Sequence, residues 1–394
     1  MASAASNDLN EIRVDHIGSL VRPAKLRELF ARFDGKQASS EELRQAQDEA
    51  IRNVIASQEA HGLEIVTDGE FRRHNFQESF SEAVAGFDVP QDTSGYYKTR
   101  QVNLNPLERA EQNFDETGPA IITRRGAAER LKLVRNVPLD EFRYSQSVAK
   151  APVKTTLIGP DRVAQRFRWE ASQAAYNGLD DFVDHVVAIQ RQMIFELVEA
   201  GCKYIQIDAP GYTAYVDQVS LDRMRSRGED PKRNFARSID ADNALIQGFP
   251  GVTFGIHVCR GNARTIDPNT GKLVPQWHRE GHYDPIAEQL FGSLKHDRIL
   301  LEYDSERAGG FEPLRFVPKD KVIVLGLITT KSSDIETVVD LKRRIDQASR
   351  YVPLEQLAIS PQCGFGGIDS KAMSEDDMWR KFDRLVEVAE QVWG

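Results

Sequence analysis

The sequence predicts an α/β protein, a (β/α)8 TIM barrel with an insertion between strands 2 and 3. Three observations carry this reading. The 394 residues exceed one average domain but suit a single barrel enlarged by insertions. Short apolar runs bounded by Gly, Pro, Asp or Ser alternate with long amphipathic stretches, the pattern of parallel strands joined by crossover helices. No low-complexity linker divides the chain and no period repeats, so residues 1–394 read as one domain.

The expected strands are, in order, Val14–Ile17, Glu64–Thr67, Lys154–Ile158, Tyr204–Ile207, Val252–His257, Ile299–Leu301, Val322–Leu325 and Leu357–Ile359. Helical periodicity is expected over Ser40–His61, Asp180–Ala200, Asn234–Gln247, Asp284–Leu294, Ser333–Ala348 and Ser374–Val392. Asp180, Ser333 and Ser374 read as N-caps, since their side chains can accept from free first-turn amides. Two stretches break the alternation. Residues 86–150, polar and turn-rich, form the insertion; a substrate lid and an oligomer arm suit a loop of that length equally. Asn262–Tyr283 carries the turn formers Asp267, Pro268, Asn269 and Gly271 after the fifth strand.

Composition removes whole classes of function. Lys and Arg total 51 against 60 Asp and Glu, a net charge of −9, and the cations are scattered. That is no footprint for nucleic acid. No apolar run approaches the ~20 residues that span a bilayer, and Met1–Asn10 lacks the basic and apolar regions of a signal peptide. Three cysteines, Cys202, Cys259 and Cys363, are too few and too odd in number for a disulfide framework. They point to a reducing cytoplasm, where thiols serve packing, metals or catalysis.

The segment richest in chemistry is Gly255-Ile256-His257-Val258-Cys259-Arg260-Gly261-Asn262. Residues two apart on a strand face the same way, so His257 and Cys259 can present an imidazole and a thiolate to one ion. By itself the pair is more often core packing. Glu302 follows the sixth strand and Cys363 the eighth, which places all of them at the C-terminal rim, where this fold builds its sites. Cys202 precedes the fourth strand and reads as a buried packing thiol.

Six pieces of sequence now become specific together. Asp15-His16-Ile17-Gly18-Ser19, Thr67-Asp68-Gly69-Glu70-Phe71-Arg72-Arg73, Ile205-Gln206-Ile207-Asp208-Ala209-Pro210, His257-Val258-Cys259, Leu301-Glu302 and Pro361-Gln362-Cys363-Gly364 occur in this order. The run from Asp15 to Gly367 resembles the catalytic barrel of the cobalamin-independent methionine synthase family. It is more similar still to short single-barrel bacterial members related to epoxyalkane–coenzyme M transferase. The resemblance implies a zinc site made by His257, Cys259, Glu302 and Cys363, and the donor types agree: soft sulfur with imidazole and carboxylate suits Zn²⁺ and disfavours Mg²⁺ or Ca²⁺. Ligands spread this far along the chain suit a catalytic ion better than a structural one. The resemblance further implies that Glu70 and Asp208 bind the ammonium of homocysteine, and that Ile17, Gly18 and Ser19 meet its carboxylate.

Zinc binding deprotonates a thiol whose free pKa is near ~8.5. Two thiolates and a carboxylate leave the centre electron-rich, so the implied reaction is attack of a bound substrate thiolate on an electrophilic carbon. Glu302, a hard ligand, is the one expected to yield to the thiol. Two departures from methionine synthase concern the electrophile. Thr329 and Lys331 stand where that enzyme has the acids that help protonate a leaving folate amine, which makes Lys331 the candidate proton donor. Arg166 stands in place of a tryptophan that packs on the pterin, with Phe167 and Trp169 close by. Arg72 and Arg73 are either steering groups for an anionic donor or exposed structural arginines.

The expected function is a zinc-dependent S-methyltransferase acting on homocysteine or a related thiol, with methyltetrahydrofolate or a simpler methyl compound as donor. An alkyltransferase opening an epoxide with a small thiol such as coenzyme M is the alternative. A noncatalytic zinc barrel is the reading from a different class. A homo-oligomer is compatible with each.

Overall fold

The computed structural model describes residues 9, 11–74, 76, 79–87, 126–165, 167–261, 264–266, 273–275, 279–366 and 373–394. Its centre is a parallel ladder of six strands: Lys154–Ile158, Tyr204–Asp208, Thr253–Val258, Arg298–Glu302, Val322–Ile328 and Leu357–Pro361. Spatial order follows chain order. At one edge Val66 bridges Val153, and at the other Val14 bridges Ile359, both parallel. These two segments join each other through Leu20 N–H to Gly69 O, 3.2 Å, and Thr67 Oγ1 to Gly18 O, 2.7 Å. The ring closes as a (β/α)8 barrel. Its first two strands are single bridges rather than ladders, because Gly18 (φ 127°) and Gly69 (φ 68°) turn the chain out of strand geometry at the rim.

Helices pack outside. Ser39 and Glu42 form a capping box on the Ser40–Ala60 helix, and Ser374 with Asp377 forms another on Glu375–Trp393. Two expected caps fall elsewhere. The Leu179–Glu199 helix starts from Gly178, while Asp180 is drawn off to Arg233 and Arg237. The Val338–Ala348 helix starts from Thr337 instead of Ser333. Glu336, the residue before that cap, accepts from Thr329 N–H at 2.7 Å and pairs with Lys381 at 3.2 Å, holding the preceding segment on the rim.

Residues 88–125, most of the stretch read as an insertion, lie outside the described residues. Its flanks, Val84–Phe87 and Ala127–Leu133, pair antiparallel with Val84 opposite Leu133. The helix Val137–Val148 falls inside that stretch yet packs on the third strand and on the helices Ser40–Ala60 and Leu179–Glu199, the place of a barrel helix. Its signals are Asn136, which accepts from Leu139 N–H at 3.3 Å, and Pro138 in the first turn. In the loop after the fifth strand, Arg264–Ile266 and Leu273–Pro275 pair antiparallel, while Asp267, Pro268, Asn269 and Gly271 lie outside the described residues. No helix among the described residues is long and apolar enough to cross a membrane.

The barrel is plugged at the strand starts by buried charge. Asp15 accepts from Lys154 Nζ at 2.7 Å, Tyr204 Oη at 2.6 Å and Arg298 Nε at 3.2 Å. Arg298 also reaches the carbonyls of Leu9 and Ile12, each at 3.0 Å. Burial would raise the Asp15 carboxyl, but the two cations hold it well below the usual carboxylate range. A lowered pKa contributes stability at neutral pH that is lost as pH falls below the ordinary carboxylate value of ~3.9. Asp15→Asn leaves two buried cations without their anion and is expected to cost about 3–5 kcal/mol. Urea unfolding at pH 7 measures it; a wild-type midpoint would show that the plug contributes nothing.

Candidate metal centre and substrate rim

Strand register brings the functional side chains to one end of the barrel. Asp208 stands opposite His257, and Glu302 opposite Gly326. His257 and Cys259 leave the fifth strand, Cys363 follows the eighth, and one donor atom from each lies within 4.8 Å of the others. The two sulfurs are 3.9 Å apart. Two sulfurs each ~2.3 Å from a tetrahedral zinc stand about 3.8 Å apart, so the spacing fits that ion. The hydrogen bond from the Cys363 thiol holds Cys259 well below a free thiol and lifts Cys363 well above one, burial adding to the second effect. Burial alone would lower His257; the Cys259 thiolate and the Asp208 carboxylate outweigh it and push the imidazole up to about 10. Cys202 is fully buried, its thiol pushed up to about 11 chiefly by burial, as suits packing.

Glu302 stands beside this trio without joining it. Its Oε2 accepts from Arg260 N–H at 2.6 Å, and its Oε1 is shared by Arg307 Nη2 and Lys331 Nζ, the latter at 3.3 Å. Burial would raise the carboxyl, but Lys331, Arg307 and Arg260 hold it well below the usual range. Lys331 lies on the rim as expected, with its ammonium also 2.7 Å from Asp304.

On the other flank of His257 lies a wall of acids. Asp208 Oδ1 accepts from Gln206 Nε2 at 2.8 Å and lies 3.3 Å from His257 Nδ1. Glu70 takes a left-handed backbone (φ 59°), rare for a side chain with a Cβ and most often found at functional sites. Its carboxylate accepts from Thr156 Oγ1 at 2.8 Å and Arg73 Nη1 at 3.2 Å. Arg73 is buried rather than exposed and steers nothing in solvent: Glu141 accepts from one edge of its guanidinium, from Nη2 at 2.7 Å and Nε at 3.0 Å. Arg72 pairs with Asp48 and lies over Tyr144. Burial pushes Glu70 up to about 7, against Arg73 and with Asp208, and pushes Glu141 up to about 7 as well. The Asp68 charge adds to both upward shifts; its Oδ1 accepts from Glu70 N–H at 2.8 Å and its buried Oδ2 has no hydrogen-bond partner. Sequence reasoning missed Asp68 and Glu141 and read Arg73 as either a steering group or an exposed structural arginine; the charged Asp68-x-Glu70-x-x-Arg73 spacing was the available signal for Asp68 and Arg73.

The first-strand turn lines the same wall. A Cβ on Gly18 would stand 2.8 Å from Thr156 Cγ2 and 3.6 Å from Glu70 Oε1, so glycine lets backbone reach the acids. Ile17 O accepts from Gln206 Nε2 at 2.7 Å. Ser19 binds the loop that carries Cys363, its carbonyl accepting from Phe365 N–H at 2.8 Å and its hydroxyl from Gly366 N–H at 3.3 Å. Phe167 is spent on the core, stacked 3.6 Å from Phe182 between ring centroids. Arg166 and Gly367 lie outside the described residues.

A (β/α)8 barrel that gathers thiols, an imidazole and paired acids at its strand ends has the plan of an enzyme of this fold. The comparisons agree. The family model for the catalytic domain of cobalamin-independent synthase matches residues 14–106. YxjH of Bacillus subtilis (strain 168) is 30% identical over 389 residues, covering 97% of this chain and 94% of its own. A methionine synthase of Sulfurisphaera tokodaii is 25% identical over 350 residues, covering 88% and 84%. A solved B12-independent methionine synthase of Shewanella sp. W3-18-1 has the same fold, with a TM-score of 0.68 and 20% identity over 97% of each chain. The chain belongs to the cobalamin-independent methionine synthase family, a family of methyltransferases.

The loop that carries Cys363 depends on one glycine beneath it. A Cβ on Gly326 would lie 2.6 Å from Gln362 Cα and 2.8 Å from Leu301 O, both backbone atoms that cannot rotate away. Gly326→Ala is expected to cost about 1–3 kcal/mol by overpacking and to displace Cys363 relative to Cys259. Thermal unfolding together with metal content of the purified protein checks this. Unchanged values in both would show that the two strands part freely.

Proposed function

We propose that the protein is a zinc-dependent S-methyltransferase whose acceptor is a small thiol carrying an amino group, homocysteine first among them. One observation carries the reading: a trio of zinc-type donors adjoins an acid wall in which Glu70 and Glu141 share the guanidinium of Arg73, with Asp68 beside them. Such a wall attracts a substrate cation and repels an anion. An ammonium thiol fits it; a sulfonate thiol such as coenzyme M meets carboxylates there. The methionine synthase of Sulfurisphaera tokodaii supports the same acceptor.

In this reading His257, Cys259 and Cys363 hold the ion, with Glu302 as the neighbouring carboxylate. When bound, zinc keeps a substrate thiol in its nucleophilic, deprotonated form at neutral pH. The chain's own residues do the rest. Glu70 and Asp208 receive the ammonium, and the Ile17-Gly18-Ser19 turn offers backbone and hydroxyl to the carboxylate. Arg73, locked by Glu141, keeps Glu70 aimed at the substrate. The electrophile is a methyl donor, and Phe167 offers it no stacking face because that ring is buried in the core.

The metal reading predicts about one zinc per chain, lost in Cys259→Ser and Cys363→Ser and kept in Glu70→Gln; equal zinc in all three would remove it. The substrate reading predicts that Glu70→Gln and Asp208→Asn raise the KM for homocysteine about 10–150-fold, the scale of hydrogen bonds to charged groups, about 1.5–3 kcal/mol. Glu70 and Glu141 both titrate in this wall, and Glu70 is the one placed to meet the ammonium. Its raised pKa leaves it neutral below about 7, so homocysteine binding is expected to weaken as pH falls from 8 to 6. That pH step should shrink in Glu70→Gln, leaving only the weaker dependence that Glu141 contributes. A KM that is flat with pH in wild type, and unchanged in both variants, would favour a thiol with no amino group.

A further inference from the structure

Glu70 stands in a conformation that its residue type resists. Two residues in a row, Gly69 (φ 68°) and Glu70 (φ 59°), turn left-handed, which glycine accepts freely and glutamate does not. Strain of this kind persists where neighbours over-determine the backbone. Three neighbours do so here. Asp68 Oδ1 accepts from Glu70 N–H at 2.8 Å, and Arg73 N–H donates back to Glu70 O at 3.1 Å. The third hold comes from the segment after the first strand. Arg22 Nη2 donates to Glu70 O at 3.2 Å and also to Arg73 O, and its two hydrogens suffice for both carbonyls. Arg22 is itself held in place. Its guanidinium lies 4.6 Å from the ring centroid of Phe30 on the Ala24–Asp34 helix, and its carbonyl accepts from Arg27 Nη1 at 2.9 Å.

We propose that Arg22 is a positioning residue that holds the Glu70 turn left-handed and so aims the Glu70 carboxylate. The backbone direction at Glu70 fixes where its Cβ points. A turn that relaxed to negative φ would carry the carboxylate away from Thr156 and Arg73, the two groups that now receive it. Arg22 suits the task because a charged donor makes the stronger kind of hydrogen bond to a carbonyl. It also joins two parts of the rim. Arg22 lies three residues after Ser19, in the segment that carries the Ile17-Gly18-Ser19 turn. Leu20 N–H to Gly69 O and Thr67 Oγ1 to Gly18 O lace the same two segments. Arg22 therefore sets the spacing between the turn read above as meeting the substrate carboxylate and the acid read as meeting its ammonium. In that respect the inference rests on the proposed function. Arg22 acts through Glu70 and touches no reacting atom.

Two measurements on the full-length, zinc-loaded protein test this. Hydrogen–deuterium exchange across residues 67–74 reads the turn without any ligand, and Arg22→Met is expected to speed it about tenfold while zinc content stays at the wild-type level. Calorimetric titration with homocysteine reads the aim of Glu70 in a double-mutant cycle. Arg22→Met should weaken homocysteine about tenfold, the low end of the loss expected for Glu70→Gln, because the carboxylate is present but misdirected. In the Glu70→Gln background the same substitution should change the Kd less than about threefold. Arg22 is half-buried, so its loss opens no core cavity; should Arg22→Met still fold poorly, Arg22→Lys repeats both measurements, with the same signs and smaller sizes because a point charge serves two carbonyls less well. Faster exchange with this coupling supports the inference. Unchanged exchange overturns it, and so does an Arg22→Met effect of equal size in both backgrounds. A Glu70→Gln variant that binds homocysteine like wild type removes the ammonium reading instead, and faster exchange in Arg22→Met would then still assign the turn to Arg22.

Discussion

Asp15 sits without solvent between Lys154 and Arg298, with the Tyr204 hydroxyl on one oxygen, and so ties four strands of the barrel across its interior. Side chains of one strand alternate between interior and exterior. Once Tyr204 and Arg298 point inward at the plug, Gln206 and Asp208, and likewise Leu300 and Glu302, must point inward further along. The same parity carries Lys154 to Thr156, the residue that receives Arg73 and holds Glu70. The charged plug and the functional rim are thus two ends of one set of columns. A one-residue slip of any of these strands would break an ion pair below and turn a site residue outward above.

The rim divides its charge. Acids gather at the ends of the second and fourth strands, cations follow the fifth, sixth and seventh, and the sulfurs lie between. The division suits a thiol acceptor with an ammonium on one flank and a metal-held sulfur in the middle. It also explains the opposite fates of two carboxylates of similar burial. Glu70 shares one guanidinium with Glu141 and is pushed up to about 7 by burial, whereas Glu302 is surrounded by Arg260, Arg307 and Lys331 and is held low. Burial is common to both; the count of facing cations decides the sign.

Much of this was legible before any coordinates. The positions of the eight strands came from apolar runs and their Gly, Pro and Asp boundaries, and six of them stand as a continuous ladder. His257 and Cys259 were legible because strand parity is a local rule. The cap at Gly178 was not, because Asp180 is taken by arginines distant in the chain, and Thr337 rather than Ser333 accepts from the first-turn amide of Asp340. The Val137–Val148 helix was hidden in a stretch too polar to separate from its neighbours by periodicity, although Asn136 and Pro138 marked its start.

By itself the sequence determined which elements form and which donor atoms the rim could offer, since periodicity and ligand chemistry are properties of residue type and near spacing. The tertiary structure alone decided which charges meet. Arg73 and Arg72 are neighbours with the same side chain, yet one is buried on Glu141 and the other lies half-covered on Asp48 and Tyr144. Lys331 reads in the sequence as a candidate proton donor, and only closure of the barrel sets it against Glu302 and Asp304. An ion pair depends on distance and on the water excluded around it, and both are fixed when strands far apart in sequence bring their ends to the same rim.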